Sequence, residues 1–160
     1  MWQYDDVLPE IASPLATQHH CFIATTSGEI VCLDAETGKE KWWHLFDTEF
    51  RASPVQVGDR VYAIDVEGVV HIFRAAATYQ EIATIEMGEP VYATPAFTGG
   101  RIFIRGEKTL HCIRKRTASE DPFQRGAAAP TAMARKGQGT PADGEDKVAE
   151  NLPWLPMELQ

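Results

Sequence analysis

Apolar positions along this chain come in short runs rich in β-branched and aromatic residues, and Gly, Asp or Pro separates the runs. Such a pattern is typical of strands joined by tight turns. In the first part of the chain it predicts strands near 12–16, 20–26, 29–34 and 40–46. No stretch carries a helical apolar stripe of useful length. We therefore predict an all-β fold.

The same pattern returns with a period of about forty residues. Ser13-Pro14, Ser53-Pro54 and Thr94-Pro95 stand 40 and 41 residues apart. Downstream of them the segments CFIATTSGEIVCLD, VYAIDVEGVVHIFR and IFIRGEKTLHCIRK align, with one residue missing in the third. Four antiparallel strands in about forty residues form one blade of a β-propeller. The repeats are placed at about 12–51, 52–92 and 93–116.

A tight turn is predicted between the third and fourth strands of the first repeat, in the stretch LDAETGKEKWW at 33–43. Gly38 is free to adopt a positive φ and to close a bulged hairpin loop there. From Cys32 to Trp42 the chain resembles the tryptophan-docking motif A-x-D-x-x-T-G-x-x-x-W of pyrroloquinoline-quinone (PQQ) type propellers, with Cys32 in place of the alanine. The blades are also similar to those of the outer-membrane assembly factor BamB and BamB-like repeat proteins.

This resemblance covers residues 2 to about 116 and implies roles for four residues. In the family, the tryptophan of the motif packs against the turn of a neighbouring blade and ties the blades together. Carried over to this chain, Trp42 is that tryptophan, while Asp34, Thr37 and Gly38 shape the turn. The match weakens in the second repeat, where Thr78 replaces the turn glycine and Ile82 replaces the tryptophan.

The repeats predict a partial propeller with two full blades, one three-stranded blade and one N-terminal outer strand. Pro122 stands at the tryptophan position of the third repeat, and a proline is excluded from a central strand. Residues 2–10 match the fourth strand of a blade, since Trp2 stands forty residues before Trp42. Closed propellers typically have about four to eight blades. We expect either the C-terminal piece of a larger propeller or one part of a ring completed by other chains or by self-association.

Charge is unevenly distributed along the chain, whose formal net charge is −8. Residues 1–100 are acidic, and a basic cluster follows at Arg101, Arg105, Lys108, Arg114, Lys115 and Arg116. We interpret this cluster as a solvated strand edge and expect no nucleic-acid partner, because it lacks interleaved aromatic residues. No window approaches the apolar length of a membrane span, and the N-terminus has no export signal. The family resemblance implies the bacterial envelope or periplasm. Because no export signal accompanies that resemblance, the compartment is left open.

Candidates for chemistry are few. Cys21, Cys32 and Cys112 form no CxxC pair and are expected to be small buried apolar residues. His71 and His111 occupy equivalent third-strand positions and are read as tolerated blade positions, with no metal site expected. Quinone enzymes of the family also use adjacent cysteines and a calcium site of Glu, Asn and Asp in a closed ring. Adjacent cysteines are missing here, so we expect no cofactor and no catalytic residue.

The tail, residues 117–160, is rich in Ala, Gly, Pro and charged residues and is read as a linker or disordered segment. Near its end an apolar group is a candidate docking peptide for a protein partner, namely Leu152, Trp154, Leu155 and Met157, with Leu159 beside them. The alternatives are a segment that folds back on the propeller and a tail without a role.

Together these features predict a non-catalytic protein-interaction or scaffold module. Recognition would be made by the loops that connect the strands of the blades. Two alternatives stay open. One is the C-terminal part of a quinoprotein dehydrogenase whose catalytic residues lie in missing blades, and the other is a truncated product completed by other chains.

Overall fold

The structure, a computed structural model, describes residues 1–114. These residues form three antiparallel sheets in chain order. The first sheet contains β1 (Leu15–Ala16), β2 (His20–Ala24), β3 (Glu29–Asp34) and β4 (Glu40–Leu45). The second contains β5 (Val55–Val57), β6 (Arg60–Ile64), β7 (Val69–Arg74) and β8 (Glu81–Glu86). The third contains β9 (Ala96–Thr98), β10 (Arg101–Arg105) and β11 (Leu110–Arg114). We call these sheets blades 1, 2 and 3.

The predicted fold class is confirmed over this range. Each strand pairs with its neighbour in the chain, as in a propeller blade. Blades 1 and 2 have four strands and blade 3 has three, as the repeats predict. The register of β3 with β4 shifts between Cys32 and Leu33, and that of β7 with β8 shifts between Ile72 and Phe73. The same irregularity therefore recurs forty residues later, although blade 2 has lost the motif glycine and tryptophan.

The main core lies between blades 1 and 2. Its buried residues come from facing sheets: Phe22, Ala24, Ile30 and Cys32 from blade 1, Val61, Ala63 and Phe73 from blade 2, and Phe50 from the connection between them. In β3 and β7 four consecutive residues are buried, because both faces of these strands are covered. Blades 2 and 3 face each other through Tyr62, Ile64 and Val70 on one side and Ile102 and Ile104 on the other.

Residues 2–10 do not form the predicted outer strand. Among residues 1–114, no backbone ladder reaches them, because a fourth strand needs a third strand beside it and no described strand takes that place. The side chains of Tyr4 and Val7 instead pack against Ile23, Val31 and Leu33 of blade 1. The segment therefore covers the face of blade 1 that is turned away from blade 2.

The described residues cover only one of the two faces of blade 3. Residues of β11 alternate between exposed and half-buried, in contrast to the continuously buried β3 and β7. As a result, Cys112 is exposed, although its equivalent Cys32 is buried and Cys21 is half-buried. The expectation of three buried cysteines is wrong for Cys112, because the face that carries it has no neighbouring blade among residues 1–114.

Strand connections fall into two groups at opposite ends of the blades. One end, which we call the cleft end, carries the β2–β3, β6–β7 and β10–β11 turns and the connections from each blade to the next. The other end, which we call the docking end, carries the β1–β2, β3–β4, β5–β6, β7–β8 and β9–β10 turns. Every candidate residue of the tryptophan motif lies at or beside the docking end.

Candidate functional site

The β3–β4 turn is organised around the Asp34 side chain. Asp34 Oδ1 accepts hydrogen bonds from the backbone N–H of Thr37 at 2.8 Å, from the Thr37 hydroxyl at 2.8 Å and from the N–H of Glu36 at 3.2 Å. The N–H of Gly38 donates to the Asp34 carbonyl at 2.8 Å, and Gly38 has a φ of 72°. Three of the four predicted motif residues thus meet in one turn.

Lys41 adds an ion pair to this turn, with its Nζ 3.0 Å from Asp34 Oδ2. The Lys41 ammonium group, together with the hydrogen bonds from Thr37, holds the pKa of Asp34 well below its usual range. Asp34 is therefore ionised at neutral pH and acts as a fixed acceptor for the turn. Its oxygens are occupied within the hairpin, so they are not presented to a ligand.

Trp42 contacts blade 2 from its place in β4. Its indole Nε1 donates to the carbonyl of Ala76, which lies in the β7–β8 turn, at 3.0 Å. Its ring lies edge-on to Phe73 and Tyr79, with centroid distances of 5.7 and 5.3 Å, and tilted against Phe22 at 6.0 Å. Edge-to-face pairs of this kind contribute about 0.5–1.5 kcal/mol of stability beyond that gained from burying their apolar area.

Trp2 makes the same contact one blade earlier. Its Nε1 donates to the carbonyl of Ala35 at 3.0 Å, in the β3–β4 turn of blade 1. The ring lies over Gly38, where an added Cβ would come within 2.5 Å of it. The glycine is therefore required twice, once for its positive φ and once for the close approach of the indole.

A second connection between blades runs through the Ser/Thr-Pro pairs. The N–H of Ser13 donates to Ser53 Oγ at 2.9 Å, and the N–H of Ser53 donates to Thr94 Oγ1 at 2.9 Å. Each hydrogen bond spans one repeat, so the hydroxyl of one blade accepts from the backbone of the blade before it. The recurring pairs were visible in the sequence, but their function as a hydrogen-bonded series was not predicted.

His71 and His111, equivalent in sequence, each face a carboxylate. His71 Nε2 lies 3.0 Å from Asp65 Oδ2, and both side chains are buried. His111 Nε2 lies 2.8 Å from Glu89 Oε1, and Glu89 Oε2 accepts from the Lys108 N–H at 2.7 Å. These two hydrogen bonds, with the Lys108 bond the larger, lower the pKa of Glu89. The carboxylate comes from a turn in blade 2 and from an inter-blade connection in blade 3, which is why the sequence did not reveal the pairing.

An open cleft lies at the cleft end between blades 1 and 2. It is lined by Asp47, Glu49 and Glu67 together with Arg51 and Tyr92, among others. Arg51 is paired with Glu49 at 2.9 Å and stands over the Tyr92 ring at 5.8 Å. The cleft therefore combines net negative charge with an exposed aromatic ring on strand connections.

Cys32 shows no sign of reactivity, since burial raises the pKa of its thiol to about 12. No three His, Cys, Asp or Glu residues in 1–114 are grouped so that they could hold a metal ion. The same range contains no helix that is long and apolar enough to cross a membrane. The candidate docking peptide with Leu152, Trp154, Leu155 and Met157, and the predicted boundary at residue 116, lie outside the described residues.

Comparison with known proteins matches residues 1–78 to the family model described as outer membrane protein assembly factor BamB. Among solved structures, BamB from Moraxella catarrhalis has a TM-score of 0.51 at 20% identity, and the match covers 58% of this chain and 28% of that one. A europium-containing methanol dehydrogenase has a TM-score of 0.53 at 13% identity, with 66% and 22% covered. The computationally designed Ika8 protein has a TM-score of 0.50 at 12% identity, with 64% and 32% covered.

No curated protein matches the chain significantly. The chain spans between 22% and 32% of the length of the three solved structures. At these identities the structural likeness shows the fold alone, and it includes a dehydrogenase as well as BamB. Residues 1–78 therefore match the BamB repeat family, while the structures do not separate a scaffold from an enzyme.

Proposed function

We propose that this chain, which carries BamB-like repeats of the PQQ-type propeller family, acts as a non-catalytic protein-interaction or scaffold module. The observation that carries the proposal is where the residues of the family motif make their contacts. The contacts described for Asp34, Thr37, Gly38 and Trp42 lie within the turn and between adjacent blades. The motif thus holds blades together and leaves the strand connections to recognise a partner.

The cleft end is the surface best suited to that recognition. Asp47 and Glu67 come from different strand connections and line one open cleft beside the exposed Tyr92 ring. Aromatic side chains are enriched at the centres of protein interfaces, and charge around them steers association and selects partners. The acidic character of the cleft favours a partner with a basic surface.

Site-specific photo-crosslinking tests this proposal. A photoreactive amino acid is placed at Asp47 or Glu67 in the cleft, or at Gln18 or Thr78 at the docking end as matched exposed controls. In cells that naturally express the chain, we expect one reproducible adduct from the cleft positions and none from the controls. The absence of an adduct at the cleft, or identical adducts from both ends, would contradict the proposal.

The dehydrogenase alternative rests on the fold likeness to the methanol dehydrogenase. It requires catalytic residues outside the described blades. The sequence of the gene region that surrounds the coding sequence distinguishes the dehydrogenase from the scaffold. A longer reading frame with adjacent cysteines and a Glu, Asn and Asp calcium site would favour the enzyme, whereas further blades without those residues would favour the scaffold.

A further inference from the structure

Two backbone segments in residues 1–114 lack, within that range, the ladder partner that their equivalents in blade 1 have. One is the edge of β11 that faces away from β10. The other is the N-terminal segment 2–10, which forms no backbone hydrogen bond with the described strands. An open strand edge readily pairs with an extended segment of another chain.

The contacts of Trp2 place the N-terminal segment beside blade 1, where the fourth strand of a preceding blade would lie. Trp42 lies in β4, pairs with Cys32 of β3 and reaches the Ala76 carbonyl of the next blade. Trp2 reaches the Ala35 carbonyl, in the corresponding turn of blade 1, with the same donor atom and the same distance. The segment that follows Trp2 therefore runs where the outer strand of a preceding blade belongs. An outer strand pairs with the third strand of its blade, and in blade 3 that third strand is β11.

We propose that the segment beginning at Trp2 in one copy of this chain pairs with β11 of a second copy and completes its third blade. The register follows from blade 1, where Cys32 lies opposite Trp42 and Ile30 opposite His44. Equivalent positions then place Cys112 opposite Trp2 and Leu110 opposite Tyr4.

Charge and exposure at the two edges are complementary. The N-terminal segment carries exposed Asp5 and Asp6, while the β10–β11 hairpin carries exposed Arg105 and Lys108. Leu110 is 66% exposed, although its equivalent Ile30 is fully buried between blades. Pairing would bring the acidic segment to the basic hairpin and cover apolar surface that blade 3 leaves open.

The arithmetic of blades favours two copies. Residues 1–114 of each copy form two complete blades and three strands of a further blade, and in the proposed pairing each copy supplies the fourth strand of its partner's third blade. Two copies arranged in this way close a ring of six blades, within the usual range of about four to eight. The three blades that residues 1–114 form in a single copy lie below that range.

Native mass spectrometry and sedimentation of the full chain test the pairing, with charge reversal as the probe. We expect a species of twice the 17.8 kDa chain mass. Asp5→Lys with Asp6→Lys, or Arg105→Glu with Lys108→Glu, should each raise the dissociation constant at least tenfold. All four changes in one chain should restore most of the affinity, because the complementary charges are exchanged. Glu81→Lys with Glu86→Lys, on the exposed side of β8, is the control with the same change in net charge as the first pair, and it should leave the affinity unchanged.

The inference extends the proposed scaffold function to a specific partner, and the two can fail separately. A chain that is monomeric at all concentrations overturns the pairing, as does a dimer that responds to the control pair as strongly as to the edge pairs. Protection of β11 amides in a monomer also overturns it, because a segment of the same chain would then occupy the edge. If the cleft positions still crosslink to one partner in these cases, the scaffold function stands.

Discussion

Trp42 and Trp43 are adjacent in the sequence, but their side chains are in different environments. Successive side chains of a strand point to opposite faces, so Trp42 is directed at blade 2 while Trp43 is 56% exposed. Replacing each tryptophan by phenylalanine makes the same chemical change at an indole that packs against blade 2 and at one that faces solvent. We expect Trp42→Phe to lower the free energy of unfolding by about 1–2 kcal/mol, since it removes the hydrogen bond to Ala76 and part of the ring contacts.

The matched change Trp43→Phe should alter the free energy of unfolding by less than about 0.5 kcal/mol. Urea unfolding followed by circular dichroism measures both variants. Equal losses for the two tryptophans would show that docking contributes nothing beyond general strand packing.

Gly38 and Gly58 allow the backbone and the packing roles of a glycine to be separated. Both have positive φ, 72° and 61°, but an added Cβ meets the Trp2 ring at Gly38 and open space at Gly58. Gly58→Ala should cost about 1 kcal/mol from backbone strain alone. Gly38→Ala should cost at least about 1 kcal/mol more, because the indole of Trp2 must move.

The same two variants can be followed by tryptophan fluorescence. Gly38→Ala should shift the emission of Trp2 towards that of a solvent-exposed indole, whereas Gly58→Ala should not. The comparison is made in a chain with Trp154 replaced by phenylalanine, so that the tail adds no signal. An unchanged spectrum for Gly38→Ala would contradict the close contact between the glycine and the ring.

At the scale of the element, the β3–β4 hairpin depends on the ionised Asp34 side chain. Its pKa is lowered in the folded state, chiefly by Lys41 and Thr37. A lowered folded-state pKa contributes stability that is fully present above the unfolded value near 3.8 and is lost as pH falls towards the folded value. Asp34→Asn should therefore be less stable than the wild type at pH 7, and this difference should shrink below about pH 4.

Thermal unfolding of both proteins between pH 7 and pH 2.5 checks the expectation. Glu36→Gln, a change of charge in the same turn, serves as the control because only the backbone N–H of Glu36 is bonded to Asp34. A difference between wild type and Asp34→Asn that is constant with pH would contradict a role for the charge.

The elements were readable from the sequence because each blade repeats one local pattern. Strand alternation, turn glycines and the forty-residue period predicted both full blades and the three-stranded one. Residues 2–10 were misjudged because strand formation depends on a partner that sequence similarity does not supply. The His71 and His111 pairings were missed for a related reason, since Asp65 and Glu89 stand at different distances along the chain and only folding brings them to equivalent places.

At the scale of the whole molecule, burial predicts an order of local stability among the blades. β3 and β7 are covered on both faces, whereas β11 is covered on one face by the described residues. Amide hydrogen exchange in the Asp5→Lys, Asp6→Lys variant should therefore be at least about tenfold slower in β3 and β7 than in β11. Uniform exchange rates across the three sheets would contradict this order.

The central claim is that the family motif in this chain joins one blade to the next. The most direct measurement is a double-mutant cycle between Trp42 of blade 1 and Tyr79 at the β7–β8 turn of blade 2, whose rings lie 5.3 Å apart. Unfolding free energies of Trp42→Leu, Tyr79→Leu and the double variant should give a coupling energy of about 0.5–1.5 kcal/mol. The same cycle with Trp43 in place of Trp42 should give none. A coupling energy near zero for Trp42 and Tyr79 would contradict the claim.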